Sequence, residues 1–145
     1  MTPDVNVLVA ASRSDHPHHK VAYSVLTRAV SAGANGATIR LMPMVLASYL
    51  RLVTNPRIFP QPTPVNTAVG FIDALITIPG VEIPALGPEW PIFRQLCLEG
   101  LLTANTIPDA WLAAAVTQLG EHLVTFDAGF RRLLQRSSVT VLAAT

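Results

Sequence analysis

Nine carboxylates are all the acid this 145-residue chain carries. Three of them, Asp4, Asp109 and Asp127, stand where one expected element gives way to the next. Asp4 follows a short strand expected at residues 2 to 4 and opens an apolar helix, Val5 to Ser12. Asp127 follows a strand expected from His122 to Phe126. Asp109 lies in the opening turn of a helix expected from Ile107 to Leu119. Each has an ordinary reading alone, because aspartate is favoured at a helix N-cap and complements the helix dipole in the first turn. Together they suggest more, since two strand ends and a helix start on one edge would bring three carboxylates together. Like charges ~4 Å apart repel by about 4 kcal/mol at an effective dielectric of ~20, so convergence calls for a compensating ion. Oxygen ligands without a Cys or dense His set favour Mg²⁺ or Mn²⁺ over Zn²⁺. Such a cation activates a water for in-line attack on a phosphodiester and stabilises the charge that develops, with no Ser, His or Cys nucleophile needed.

Around these acids stand residues with two readings each. Asn6 either orients a water at the metal or satisfies backbone groups at the turn, and Thr125 alternates onto the same strand face with the same choice. Arg51, Arg57 and Arg131, the last grouped with Arg132 and Arg136, are candidate phosphate contacts. Arg51 interrupts a helix that otherwise reads apolar, whereas the trio equally suits a solvated helix end. Asp15-His16-Pro17-His18-His19 has no Cys or second His pair beside it and reads as a surface helix start. His122 reads as structural, and Cys97 as a small buried hydrophobe between Leu96 and Leu98.

Strands and helices alternate along the whole chain. Ser14 and Asp15 are positioned to cap a helix running to about Gly33, with Val21, Ala22, Val25, Leu26, Ala29 and Val30 at helical spacing. Further helices are expected from Pro43 to Thr54, Val65 to Ile78, Pro88 to Gly100 and Ala128 to Gln135. Further strands are expected at Ala37 to Leu41, Val81 to Ile83 and Val139 to Ala143. This alternation predicts a single α/β domain over residues 1–145, a three-layer α/β/α sandwich around a mainly parallel sheet, whose sites gather beyond the carboxyl ends of its strands. The chain is half hydrophobic and only 13% charged, an excess of apolar surface that points to a partner or a dimer. No apolar run is long enough to span a membrane, no secretory signal stands at the N-terminus, and one Cys excludes an intrachain disulfide, so a cytoplasmic home is expected. A net charge of +1 gives no basic excess for nucleic acid, although nine of the ten cations are Arg.

With the acids in view, the chain resembles the VapC family of PIN-domain toxins, the ribonuclease half of type II toxin-antitoxin pairs. Asp4-Val5-Asn6-Val7-Leu8-Val9 resembles the family's opening motif, Ile107-Pro108-Asp109-Ala110-Trp111-Leu112-Ala113-Ala114 its central acid helix, and Leu123-Val124-Thr125-Phe126-Asp127-Ala128-Gly129-Phe130 its last acid motif. Arg51-Leu52-Val53-Thr54-Asn55-Pro56-Arg57-Ile58-Phe59 is similar to a stretch of one VapC branch. The resemblance implies an Mg²⁺- or Mn²⁺-dependent endoribonuclease, usually a homodimer, that cleaves structured RNA such as tRNA or rRNA and is held by a VapB antitoxin. Many members carry a Glu on the third helix where this chain has Leu46, leaving three acids for four, with Glu82, Glu89 or Glu99 as the available substitutes.

Two other readings compete. A phosphatase using Asp4 as a covalent nucleophile wants a second Asp two residues on, where Asn6 stands, and a suitable Lys, of which Lys20 is the sole example. A catalytically weak or inactive PIN-like protein that binds RNA or a partner is suggested by the absent fourth acid and the near-neutral charge.

Overall fold

The computed structural model describes residues 1–143; the last two residues of the expected 1–145 domain lie outside them. Five short strands, β1 (Thr2–Pro3), β2 (Ile39–Arg40), β3 (Val81–Glu82), β4 (Leu123–Thr125) and β5 (Val139–Val141), alternate with six helices. The helices are α1 (Val5–Ser12), α2 (His19–Ala32), α3 (Pro43–Val53), α4 (Val65–Ile76), α5 (Trp90–Gly100) and α6 (Thr106–Gln118). All three strand pairings, β1 with β4, β4 with β5 and β2 with β3, are parallel. The N–H of Arg40 donates to the carbonyl of Met1 at 3.0 Å, which sets β2 beside the start of β1 and gives the spatial order β3-β2-β1-β4-β5. Parallel neighbours cannot be joined by a tight turn, so helices fill the earlier crossovers and two 3₁₀ turns fill the last, from β4 to β5. The expected α/β/α arrangement is the one observed.

Helix character follows the apolar pattern. Val45, Tyr49 and Val53 recur every four residues on α3, and Ala68, Ile72 and Leu75 line one face of α4. The two helices flanking the central strands are buried far more evenly. Val7 to Ala11 of α1 and Leu112 to Val116 of α6 are each an unbroken buried run, with small Ala side chains letting the sheet and outer helices approach. Among the described residues no helix is long and apolar enough to cross a membrane.

Two local expectations are corrected. The helix expected from Ser14 starts only at His19, with no side-chain cap, because Asp15 is taken by Arg13, whose Nη2 donates to Oδ2 at 2.8 Å. Arg13 is only 8% exposed. It also donates to Thr63 Oγ1 and the Gln61 carbonyl at 3.0 Å, and its guanidinium carbon lies 3.9 Å from the Phe59 ring centroid. The Pro-rich loop, Pro60-Gln61-Pro62-Thr63-Pro64, is thereby pinned to the end of α1. The helix expected from Ala128 to Gln135 is a 3₁₀ turn, Ala128–Arg132, followed by a second one, Arg136–Ser138. An Asp cap announces either kind of helix; only the packing beyond it decides how far the turn runs.

Candidate functional site

The topology assembles the site. β1 and β4 are adjacent and parallel, so the residues just beyond their carboxyl ends, Asp4 and Asp127, leave the sheet on the same edge. A short turn through Gly120 joins α6 to β4, so α6 runs back along the strand and its first turn, with Asp109, returns to that edge. Gly120 takes the positive φ of 64° that this reversal needs.

Thr125 holds the parts in register. Fully buried, its hydroxyl donates to Asp4 Oδ2 at 2.7 Å and accepts from Asn6 Nδ2 at 3.2 Å and from the Asp127 N–H at 2.9 Å. Asn6 Oδ1 in turn accepts from the Phe126 N–H at 3.2 Å, so this side chain ties α1 to the end of β4. Asp4 Oδ1 accepts from the Val5 N–H at 2.7 Å and caps α1. Asp127 Oδ1 accepts from the Gly129 N–H at 2.8 Å and caps the 3₁₀ turn. A Cβ at Gly129 would stand 3.0 Å from that same oxygen, so a glycine two residues after the acid is part of the motif. Both capping roles are real, and neither consumes all the lone pairs of a carboxylate.

The charges sense one another. Asp109 is raised from the ordinary 3.8 to about 6, first by burial and then by the charges of Asp4 and Asp127. Asp4, 5% exposed, is raised by burial and by Asp127, against the lowering effect of its bonds from Thr125 and Val5. Asp127 is exposed. The donor set is oxygen only and suits a hard divalent cation. As placed, no three His, Cys, Asp or Glu among the described residues are grouped tightly enough to ligate one ion directly.

The remaining candidates lie on several other elements. Arg51 is exposed on α3, Arg57 is exposed after the Asn55 turn, and Arg131 is exposed in the 3₁₀ turn that Asp127 caps; none is in an ion pair among the described residues. Leu46 packs against the core. None of the three spare glutamates takes the place of a fourth acid. Glu82 pairs with Arg40 at 2.8 Å and Glu99 accepts from Gln95 at 2.9 Å. Glu89 is buried, a cost outweighed by bonds from Trp111 Nε1 at 2.9 Å and the Gly87 N–H, which leave its pKa lowered. His122 ties β4 to Ser137 and Thr140, a structural role, and Cys97 is half-buried on α5. A cavity of about 540 Å³ opens at the opposite, amino ends of the strands beside Glu121 and His122, away from the three acids.

The PIN domain family matches residues 1–134. The chain is 36% identical over 130 residues to Ribonuclease VapC25 and 37% identical over 132 residues to Ribonuclease VapC31, both of Mycobacterium tuberculosis, covering 89% of each chain. Ribonuclease VapC43 of the same organism is 35% identical over 130 residues, covering 89% of this chain and 86% of its own. The fold is similar to a crystal structure of VapBC2 from Rickettsia felis bound to a DNA fragment from their promoter, with a TM-score of 0.62, 20% identity and 91% of both chains covered. Matched over nearly its whole length, with its acid motifs in order, the chain belongs to the PIN domain family and, within it, to the VapC group.

Proposed function

We propose that this chain is a divalent-metal-dependent endoribonuclease, the toxin of a toxin-antitoxin pair. The observation that carries the reading is the placement of Asp4, Asp109 and Asp127 at one sheet edge, where burial first and then the charges of Asp4 and Asp127 raise Asp109 to about 6. Those three carboxylates would hold Mg²⁺ or Mn²⁺, which keeps several waters in its shell, in keeping with acids not packed tightly enough to supply every ligand. When bound, the ion neutralises the cluster and supplies an activated water and charge stabilisation for cleavage of a phosphodiester. The chain's own contribution is orientation. Thr125 and the Val5 N–H fix both oxygens of Asp4, while Gly129 and the turn after β4 fix Asp127. Arg51, Arg57 and Arg131 are free to meet phosphates. The relatives' names support ribonuclease activity, and the VapBC2 complex supports a VapB-type antitoxin as partner. Structured RNA as substrate, a homodimeric state and a cytoplasmic site of action complete the proposal.

The test is cleavage of structured RNA by purified protein with Mg²⁺ or Mn²⁺. Cleavage should stop in EDTA, and Asp109→Asn should lower it by at least about 100-fold, the upper end of what disturbing a metal ligand's support costs, without unfolding. Equal, EDTA-resistant activity in both proteins would point to a contaminant and leave an RNA- or partner-binding protein as the better reading.

A further inference from the structure

Beside the acids, α3, α5 and α6 enclose an apolar trough that the cleavage chemistry does not use. One compartment, about 450 Å³, is bounded by Met44, Ala47 and Ser48 of α3, Phe93 of α5, and Pro108 and Trp111 of α6. A second, about 380 Å³, shares Phe93 and Trp111 and is closed by Trp90 and Glu89. The rings are ordered: Phe93 and Trp111 lie near-parallel, 10° apart at 6.3 Å, and Trp90 meets Phe93 edge-on at 5.8 Å. Trp111 is fixed by its Nε1 bond to the buried Glu89, so its one polar atom is satisfied.

We infer that this trough is a stacking pocket for an unpaired nucleobase of the RNA strand whose phosphate reaches the acids; the inference rests on the ribonuclease reading above. Three observations point to a base as the occupant. The trough borders the turn of α6 that carries Asp109, since Pro108 lines it and is the residue before that acid. A cation flanks it: Met44, Ala47, Ser48 and Arg51 follow one another at i, i+3, i+4 and i+7 and so share one face of α3. Arg51 is exposed and in no ion pair among the described residues. Finally, a net charge of +1 leaves little general attraction for phosphate. A protein of this charge that holds RNA needs contacts that do not depend on a basic surface, and aromatic stacking beside an Arg provides them for any base.

The test is binding of a short, unstructured, end-labelled oligoribonucleotide in EDTA, followed by fluorescence anisotropy. The same strand carrying one abasic residue is the control. Trp111→Leu removes the platform, and Ala47→Leu, at an exposed helical position, fills the trough without touching the core. Each variant should weaken binding about tenfold, within the range of one stacked base, and should bind the intact and abasic strands alike, whereas wild type prefers the intact one. Equal affinity of wild type for both strands, or no loss in either variant, overturns the pocket. Sedimentation of Ala47→Leu identifies a competing occupant: lost self-association with the base preference intact gives the trough to a second copy and also overturns it. Cleavage with Mn²⁺ run in parallel separates the two readings. Cleavage without base-dependent binding removes the pocket alone; base-dependent binding without cleavage keeps the pocket and removes the nuclease.

Discussion

One hydroxyl carries much of the site's geometry. Thr125 donates to Asp4 and accepts from Asn6 and from the Asp127 N–H, so three separate segments meet on a single oxygen. Thr125→Val keeps the shape and removes that oxygen, leaving Asp4 Oδ2, Asn6 Nδ2 and the Asp127 N–H without this partner. Each such group costs about 1–3 kcal/mol, and loss of a ligand's support lowers metal affinity or activity by roughly 10- to 100-fold. Thr125→Ser should retain most of both, and denaturant melts with cleavage assays on the pair will show whether the hydroxyl or the methyl matters. Asp109 makes the second case. Its folded-state carboxyl, at about 6, lies above the ordinary 3.8, so its contribution favours folding only while it is protonated, and that contribution is lost as pH rises through about 6. In EDTA, Asp109→Asn should therefore raise Tm most above about pH 7, with the gain shrinking toward about pH 4; Mg²⁺ should shrink it too. A gain that ignores both pH and metal would remove charge repulsion as the explanation.

Gly80 shows how a connecting turn positions a strand. It joins α4 to β3 with φ of 87°, its carbonyl accepts from the Ile39 N–H at 2.8 Å, and a Cβ there would stand 2.8 Å from the Ala37 carbonyl. Gly80→Ala should cost about 1–3 kcal/mol, read from denaturant melts, with catalysis in the surviving fold unchanged because β2 and β3 carry none of the acids. Unchanged stability would mean that the turn relaxes freely. Elements of this kind also explain which features are legible in the sequence. Acids at strand-to-helix joints can be read because cap chemistry and strand alternation are local: Asp4 caps α1, and Asp127 caps the 3₁₀ turn after β4. The start of α2 cannot be read, since the apparent cap Asp15 is claimed by Arg13, which also reaches Thr63 fifty residues away. Glu89 is the same kind of case. It is one of three glutamates available to stand in for the family's fourth acid, but Trp111, 22 residues on, donates to its carboxylate. Long-range pairings leave no periodic trace, so the missed residues are those that hold elements together.

At the scale of the whole molecule, one stripe of unpartnered apolar surface runs along α4. Val65, Val69 and Ile76 are 61%, 38% and 38% exposed on α4, and Ile58, 46% exposed, lies in the segment before it. Val65 and Val69 are one turn apart and Ile76 lies seven residues beyond Val69, so the three form one stripe along the helix. An apolar stripe of this kind on a chain that is 13% charged is the surface a second copy would bury. Val65→Glu combined with Val69→Glu would place charges at the centre of that contact, where an unpaired buried carboxylate is costly. The doubly substituted chain should sediment as a monomer at concentrations where the proposed homodimer of the wild type forms. Its Tm in dilute solution should be almost unchanged, because both side chains already face solvent. Its RNA cleavage should persist as well, since Asp4, Asp109, Asp127 and the Thr125 network all come from one chain. A dimer that survives both charges assigns the stripe to another partner, whereas a monomer that no longer cleaves shows that the second copy completes the site.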